Sequence, residues 1–301
     1  MAFGLELRVW RLLGGNRYIV VYPPQGLGDI LQVLMHLQGL KAIYPGKKVA
    51  LVITKPHFLE LAKLYHKVTD KFLYLSQDQC EILAKSRYGE LFRSSWWKVY
   101  DEKSPRLYFH YAVMAAYGIP AHTPAYIPEI RASRKTLRHL NSLGIKNGGT
   151  VIIAPEAVSC DEVISLEVWM KVAVNLEGQG FKVFFNSRNE AYGKERLLFL
   201  PLQETLHAIT QGGGFIGYRS GLCDVVSAFT KSRQIIVYPN NRKPGEYPSI
   251  MGYDQNPNEK YMEYCSLNNI YPDKEIRELI YSEDGLLSAV KEVFGNGQDS
   301  H

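Results

Sequence analysis

The sequence predicts an α/β protein of two domains, each built on a mainly parallel sheet with helices on both faces. Three observations predict it. Short β-branched and aromatic runs alternate with stretches of helical periodicity along nearly the whole chain, the pattern of successive βαβ units. The alternation loosens from Gly118 to Pro128, which holds three prolines, and restarts after Asn147-Gly148-Gly149. A length of 301 residues suits two domains of ordinary size. The boundary is expected near 145, giving domains of 1–145 and 146–301, with the last helix packing back on the first domain.

The elements follow in order. Tyr18 to Tyr22 reads as a buried strand, followed by the turn Pro23-Pro24-Gln25-Gly26-Leu27-Gly28-Asp29 and a helix from Ile30 to Ala42 that stops at Tyr44-Pro45-Gly46. Lys48 to Thr54 supplies the next strand, His57 to about Tyr65 a helix, and Lys71 to Leu75 a third strand. Helical patterns recur at Gln79 to Lys85, Leu107 to Tyr117 and Ser133 to Leu143. In the second half the strands are Thr150 to Ala154, Phe181 to Asn186, Gly214 to Gly217 and Gln234 to Tyr238. Helices are expected between them at Leu166 to Leu176, Leu202 to Thr210 and Leu222 to Phe229. An irregular Asn/Pro-rich stretch then runs to about Asn258, before a strand near Ile276 to Tyr281 and a helix at Gly285 to Phe294.

An apolar fraction of 46% and a charged fraction of 22% describe an ordinary folded protein. A net charge of +5 does not mark a nucleic-acid binder, and no nucleic-acid partner is expected. The basic residues Arg131, Arg134, Lys135, Arg138, His139 and Lys146 crowd one segment, read as a solvated helix face, with a membrane-surface patch as the alternative. The cysteines at 80, 160, 223 and 265 form no C-x-x-C pair, which fits a reducing cytoplasm. No export signal or apolar run of membrane-spanning length is visible, so any membrane contact is expected to be peripheral, at the inner face.

Ligands of open α/β sheets bind where strand carboxyl ends meet helix N-termini, because unpaired N–H groups and the helix dipole attract anions there. Two turns have that character. In Gly217-Tyr218-Arg219-Ser220-Gly221 the glycines allow close backbone approach, Ser220 adds a hydroxyl, and Arg219 adds a planar fork suited to phosphate. Asp224, one helical turn on, is placed to hold Arg219 or a ribose hydroxyl. The plainer reading is a tight turn at Gly217 and Gly221 with Arg219 paired to a surface carboxylate. In the other turn, Gly26-Leu27-Gly28 lacks the third glycine of G-x-G-x-x-G, and Thr54-Lys55 stand where a dinucleotide-binding acid would follow the second strand. Asp29 there suits a carboxylate that stays ionised and accepts a proton, and it equally suits a helix cap. Trp96-Trp97 reads as core packing, with stacking on a sugar ring as the alternative. The absence of D-x-D, H-E-x-x-H, Walker A and G-x-S-x-G motifs leaves a metal-independent transferase or a binding protein.

On these residues the chain resembles the heptosyltransferase-like glycosyltransferases, whose two facing Rossmann-like domains form the GT-B fold. Gly26 to Leu31, the helix ending Leu40-Lys41-Ala42-Ile43-Tyr44-Pro45, Ile152-Ile153-Ala154-Pro155, Trp169 and Phe215 to Gly221 carry the likeness in order and spacing. The resemblance implies that Asp29 is the general base, with Gln25, Gly26 and Gly28 forming the acceptor-side loop. It also implies a nucleotide-sugar held at Glu156, Ser187, Arg188, Gly217, Arg219, Ser220, Gly221 and Asp224, with no metal or other cofactor. The implied reaction is inverting transfer to a glycan or lipid-linked acceptor in cell-surface polysaccharide synthesis. Two features depart from the family. Arg219 stands where it usually has an acidic residue, and the lysine that commonly follows the first donor-domain strand has no counterpart between Glu156 and Ile164. A sugar-nucleotide epimerase and a non-catalytic nucleotide- or glycan-binding module are the alternatives.

Overall fold

The computed structural model describes residues 5, 8–9, 11, 13, 17–22, 26–84, 92–93, 114, 118–120, 122–157, 164–243 and 256–295. Gln25, Trp96, Trp97 and all but Met114 of the helix expected at Leu107 to Tyr117 lie outside the described residues. The chain divides into two compact units, Met1–Pro128 and Glu129–His301.

The first unit carries β1 (Tyr18–Val21), α1 (Leu27–Ile43), β2 (Lys48–Ile53), α2 (Phe58–Leu64), β3 (Lys71–Tyr74), α3 (Gln77–Ala84) and β4 (Phe92–Arg93). Its sheet is parallel throughout, in the order β3-β2-β1-β4. Every residue of β2 after Lys48 is buried, because a parallel sheet covered on both faces needs a continuous apolar strand rather than an alternating one. Val20, Ala50, Val52 and Leu73 from the strands pack with Val9, Leu13, Cys80 and Leu83. The far end of α1 is fixed by Lys41, whose ammonium lies 2.9 Å from Asp70, while Asp70 also accepts the Val49 N–H at 2.8 Å.

The second unit carries α4 (Arg134–Ser142), β5 (Thr150–Ala154), α5 (Leu166–Gly178), β6 (Lys182–Phe185), α6 (Leu202–Gly212), β7 (Gly213–Tyr218), α7 (Gly221–Phe229), β8 (Arg233–Tyr238), α8 (Pro257–Cys265), β9 (Ile276–Ile280) and α9 (Glu283–Phe294). Its sheet is again wholly parallel, in the order β6-β5-β7-β8-β9. Val151, Ile153, Phe185, Ile216, Ile235 and Val237 project from the strands against Trp169, Val172 and Leu176 of α5 and Leu286, Val290 and Phe294 of α9. Side chains of this size each contribute about 1.5–3 kcal/mol when buried. Among the described residues, no helix is long and apolar enough to cross a membrane.

One sequence expectation changes. The division falls at 128/129 and not near 145, because α4 is tied to the second unit: His139 bonds Glu204 at 3.0 Å and Gln211 donates to Asn141 at 2.7 Å. The buried face of α9 is part of the second unit's own core. Helix α8 occupies a stretch, after about Asn258, for which the sequence predicts no element. Its start is marked by Asn256, which accepts the Glu259 N–H, with Pro257 in the first turn, where a missing N–H costs nothing.

Candidate functional site

A doubly wound sheet opens a crevice where strand order reverses, because the loops there leave in opposite directions. In the second unit the reversal lies between β5 and β7, whose carboxyl ends meet at the pair Ala154 and Gly217. In the first it lies between β1 and β4, where Val21 pairs with Arg93. Both turns singled out in the sequence follow strands that flank these reversals.

After β7, Arg219, Ser220, Gly221 and Asp224 come together in one strand–turn–helix corner. Arg219 places its guanidinium against the Asp224 carboxylate in a two-pronged contact of 2.6 and 2.9 Å, and also donates to the Ser220 carbonyl at 2.9 Å. A further, longer contact of 3.4 Å reaches the Cys265 carbonyl at the end of α8. The Arg219 and Asp224 side chains are only 10% and 4% exposed, so the partner is an interior carboxylate and not a surface one. Burial alone would depress the guanidinium, but the charge of Asp224 outweighs it and holds Arg219 well above its usual range.

This pairing decides what α7 presents. Ser220 is the N-cap residue, yet its side chain makes no capping bond and lies 3.8 Å from the Cys223 sulfur. Asp224, the acid of the first turn, points into the Arg219 fork. The positive end of α7 is therefore open to an anion at Gly221 and Leu222, the first two helical N–H groups. Gly217 proves to be a strand residue, fully within β7. A Cβ there would fall 2.6 Å from the Cys223 sulfur and 2.7 Å from the Phe215 ring, so its glycine serves the close packing of α7 on the sheet. Burial pushes the Cys223 thiol up to about 11, which keeps it a neutral packing group.

Glu156 and Ser187 meet across the neighbouring loops after β5 and β6. The buried Ser187 hydroxyl donates to the exposed Glu156 carboxylate at 2.6 Å and accepts the Asn189 N–H at 3.0 Å. Behind them Tyr192 stacks on Phe185 with ring centroids 4.4 Å apart, and burial, aided by Glu156, pushes its hydroxyl up to about 12. Arg188 is exposed and lies 4.1 Å over the ring of Phe199, itself 57% exposed.

In the first unit, α1 begins at Leu27, so Gly28 and Asp29 belong to its first turn and Gly26 is its N-cap. Asp29 accepts the Gly26 N–H at 3.0 Å, the return bond of a capping box whose forward bond a glycine cannot make. A Cβ at Gly26 would come within 2.5 Å of that carboxylate, so the glycine lets Asp29 fold back over the turn. The Asp29 residue is half-buried.

Sequence reasoning missed the support behind Arg219. The Tyr238 hydroxyl donates to Glu278 at 2.5 Å and lies 2.9 Å from the Cys265 carbonyl, while Glu278 also accepts from Ser266 and the Leu267 N–H. Arg242, in the loop after β8, is 8% exposed with its guanidinium 4.4 Å over Tyr261. These partners sit on α8 and β9, and no local motif joins them to the turn at 219.

No protein-family model matches the chain, and no curated protein matches it either. Solved structures do. The ADP-heptose LPS heptosyltransferase II of E. coli is 12% identical at a TM-score of 0.60, covering 92% of this chain and 98% of its own. A family 9 glycosyl transferase from Veillonella parvula is 13% identical at a TM-score of 0.58, covering 93% and 92%. The E. coli heptosyltransferase WaaC, solved with ADP, is 11% identical at a TM-score of 0.56, covering 91% and 97%. The fold is thus the one shared by these heptosyltransferases and this family 9 glycosyl transferase.

Proposed function

We propose that this chain is a glycosyltransferase that binds a nucleotide-sugar on its second unit and moves the sugar to a hydroxyl of a glycan or lipid-linked acceptor held by the first. The observation that carries this reading is the α7 N-terminus beside a strand-order reversal, with its nearby carboxylate withdrawn into the Arg219 fork. A fold shared with heptosyltransferases over more than nine-tenths of the chain supports it.

In this proposal the diphosphate rests on the N–H groups at Gly221 and Leu222 and on the Ser220 hydroxyl. Arg219 acts through its charge and by holding Asp224 away, so the departing diphosphate needs no metal. The Glu156–Ser187 link meets ribose hydroxyls, and Arg188 on Phe199 offers a flat face to the base. In this reading each unit is one Rossmann-like domain of a GT-B enzyme. Asp29 takes the proton of the acceptor hydroxyl as it attacks the anomeric carbon, and one displacement inverts that centre.

Thermal unfolding with ADP, GDP, UDP and dTDP tests the donor half. A nucleotide at 100 times its dissociation constant adds about 2.7 kcal/mol of stability. ADP is expected to give the largest shift, on the likeness to a structure solved with it. Failure of all four to stabilise the protein would sink the reading. Incubating the bound donor with and without acceptor then separates transfer from epimerisation, and binding without any product would mark a non-catalytic module.

A further inference from the structure

Helix α4 carries a cationic face that neither the fold nor the proposed site uses. Successive residues turn by about 100° around a helix, so Arg134, Arg138 and Lys135 fall within one arc of about 100°, opposite the fully buried Leu140. All three are exposed, and none has a carboxylate partner among the described residues, whereas Arg131 is matched by Glu129 and His139 by Glu204. Two of the three stand in the first helical turn, which has no acidic residue. Cations there oppose the helix dipole, so the arrangement has a local cost. Beside Arg134 on the same surface Leu137 is 42% exposed.

The helix is held by its other side. His139 and Asn141 tie it to α6, and the Lys182 ammonium donates to the Leu143 carbonyl just past its end. The chain then enters β5 at Thr150, so α4 ends near the amino ends of β5 and β6, away from the carboxyl-end crevice of this unit.

We propose that this face of α4 docks on the surface of an anionic lipid bilayer, with Arg134, Lys135 and Arg138 against headgroup phosphates and Leu137 at the acyl boundary. An interface of that kind takes cations and an adjoining apolar side chain together, and it repays the misplaced charges. A nucleic acid would use the cations and leave Leu137 without a role. The proposal stands independently of the transfer reaction.

Cosedimentation of the full chain with vesicles tests it. Binding is expected to vesicles of phosphatidylcholine with phosphatidylglycerol, falling as salt rises, and not to phosphatidylcholine alone. The triple variant R134Q/K135Q/R138Q is expected to bind about a hundredfold more weakly, from the usual contribution of each cation near an anionic surface. Leu137→Ser should weaken binding by roughly threefold to tenfold and keep the salt dependence. The control K55Q/K63Q/K67Q removes the same charge from exposed sites of the first unit and should bind like the parent. Indifference of the parent to anionic vesicles would overturn the proposal. So would equal loss in the control, or tighter binding of duplex DNA than of vesicles through the same three residues.

Discussion

The turns after β1 and β7 share a plan and differ in one detail. Each leads from a buried parallel strand into a helix with a carboxylate in its first turns, at a point where strand order reverses. Asp29 folds back onto its own helix start and bonds Gly26, so that corner presents a carboxylate. Asp224 is drawn sideways by Arg219, so the other corner presents N–H groups. Identical local architecture can thus supply a proton acceptor or an anion cradle, according to what competes for one acidic side chain. The far ends are fixed alike by lysines. Lys41 reaches Asp70 behind α1, and Lys274 donates to the carbonyls of Ser227, Ala228 and Thr230 behind α7.

The largest expected effect breaks the first corner. Asp29→Asn should lower turnover by about 100- to 10,000-fold while nucleoside diphosphate affinity by calorimetry stays near that of the parent. Unchanged turnover would remove Asp29 from the chemistry. In the second corner, Arg219→Met leaves Asp224 buried and unmatched, so urea unfolding should show a loss of about 3–5 kcal/mol. The double variant R219M/D224L replaces both charges with apolar groups and should recover most of that loss. If it does not, the pair contributes more than mutual neutralisation.

Smaller effects come from the lysine ends. Lys274→Met strands three carbonyls at the end of α7 and should cost about 1–3 kcal/mol in the same measurement. Asp70 loses solvent on folding, which raises its pKa, but the Val49 N–H and Lys41 outweigh this and leave it below its usual value. Its contribution is therefore full above the unfolded carboxylate pKa and disappears as pH falls through the lower folded one. Asp70 is 31% exposed, so Asp70→Asn should cost no more than about 1 kcal/mol near neutrality and nothing measurable in strong acid.

Much of the fold was legible because parallel strands buried on both faces leave runs such as Lys48 to Ile53 and Thr150 to Ala154. Turns at Gly46 and Gly144, both at positive φ, marked where helices end. Helix α8 escaped because a polar, half-exposed helix lacks a continuous apolar face, although Asn256-Pro257 announced its start. At the candidate site, Arg219 and Asp224 were legible as neighbours one helical turn apart. Whether Arg219 would face a ligand or its own carboxylate was not, because Tyr238 and the Cys265 carbonyl reach it from distant parts of the chain, with Glu278 behind Tyr238. Glu156 and Ser187 likewise meet only once β5 and β6 are paired.

The wholly parallel pairing of both sheets has a kinetic side. Among the described strands no neighbours form a hairpin, and β5 must wait for β7, which arrives only after α5, β6 and α6. Each such closure gives up chain entropy before any ladder forms, which makes parallel sheets slow to assemble. The second unit is thus expected to expose its apolar strands for longer during refolding than a helical bundle of the same length would.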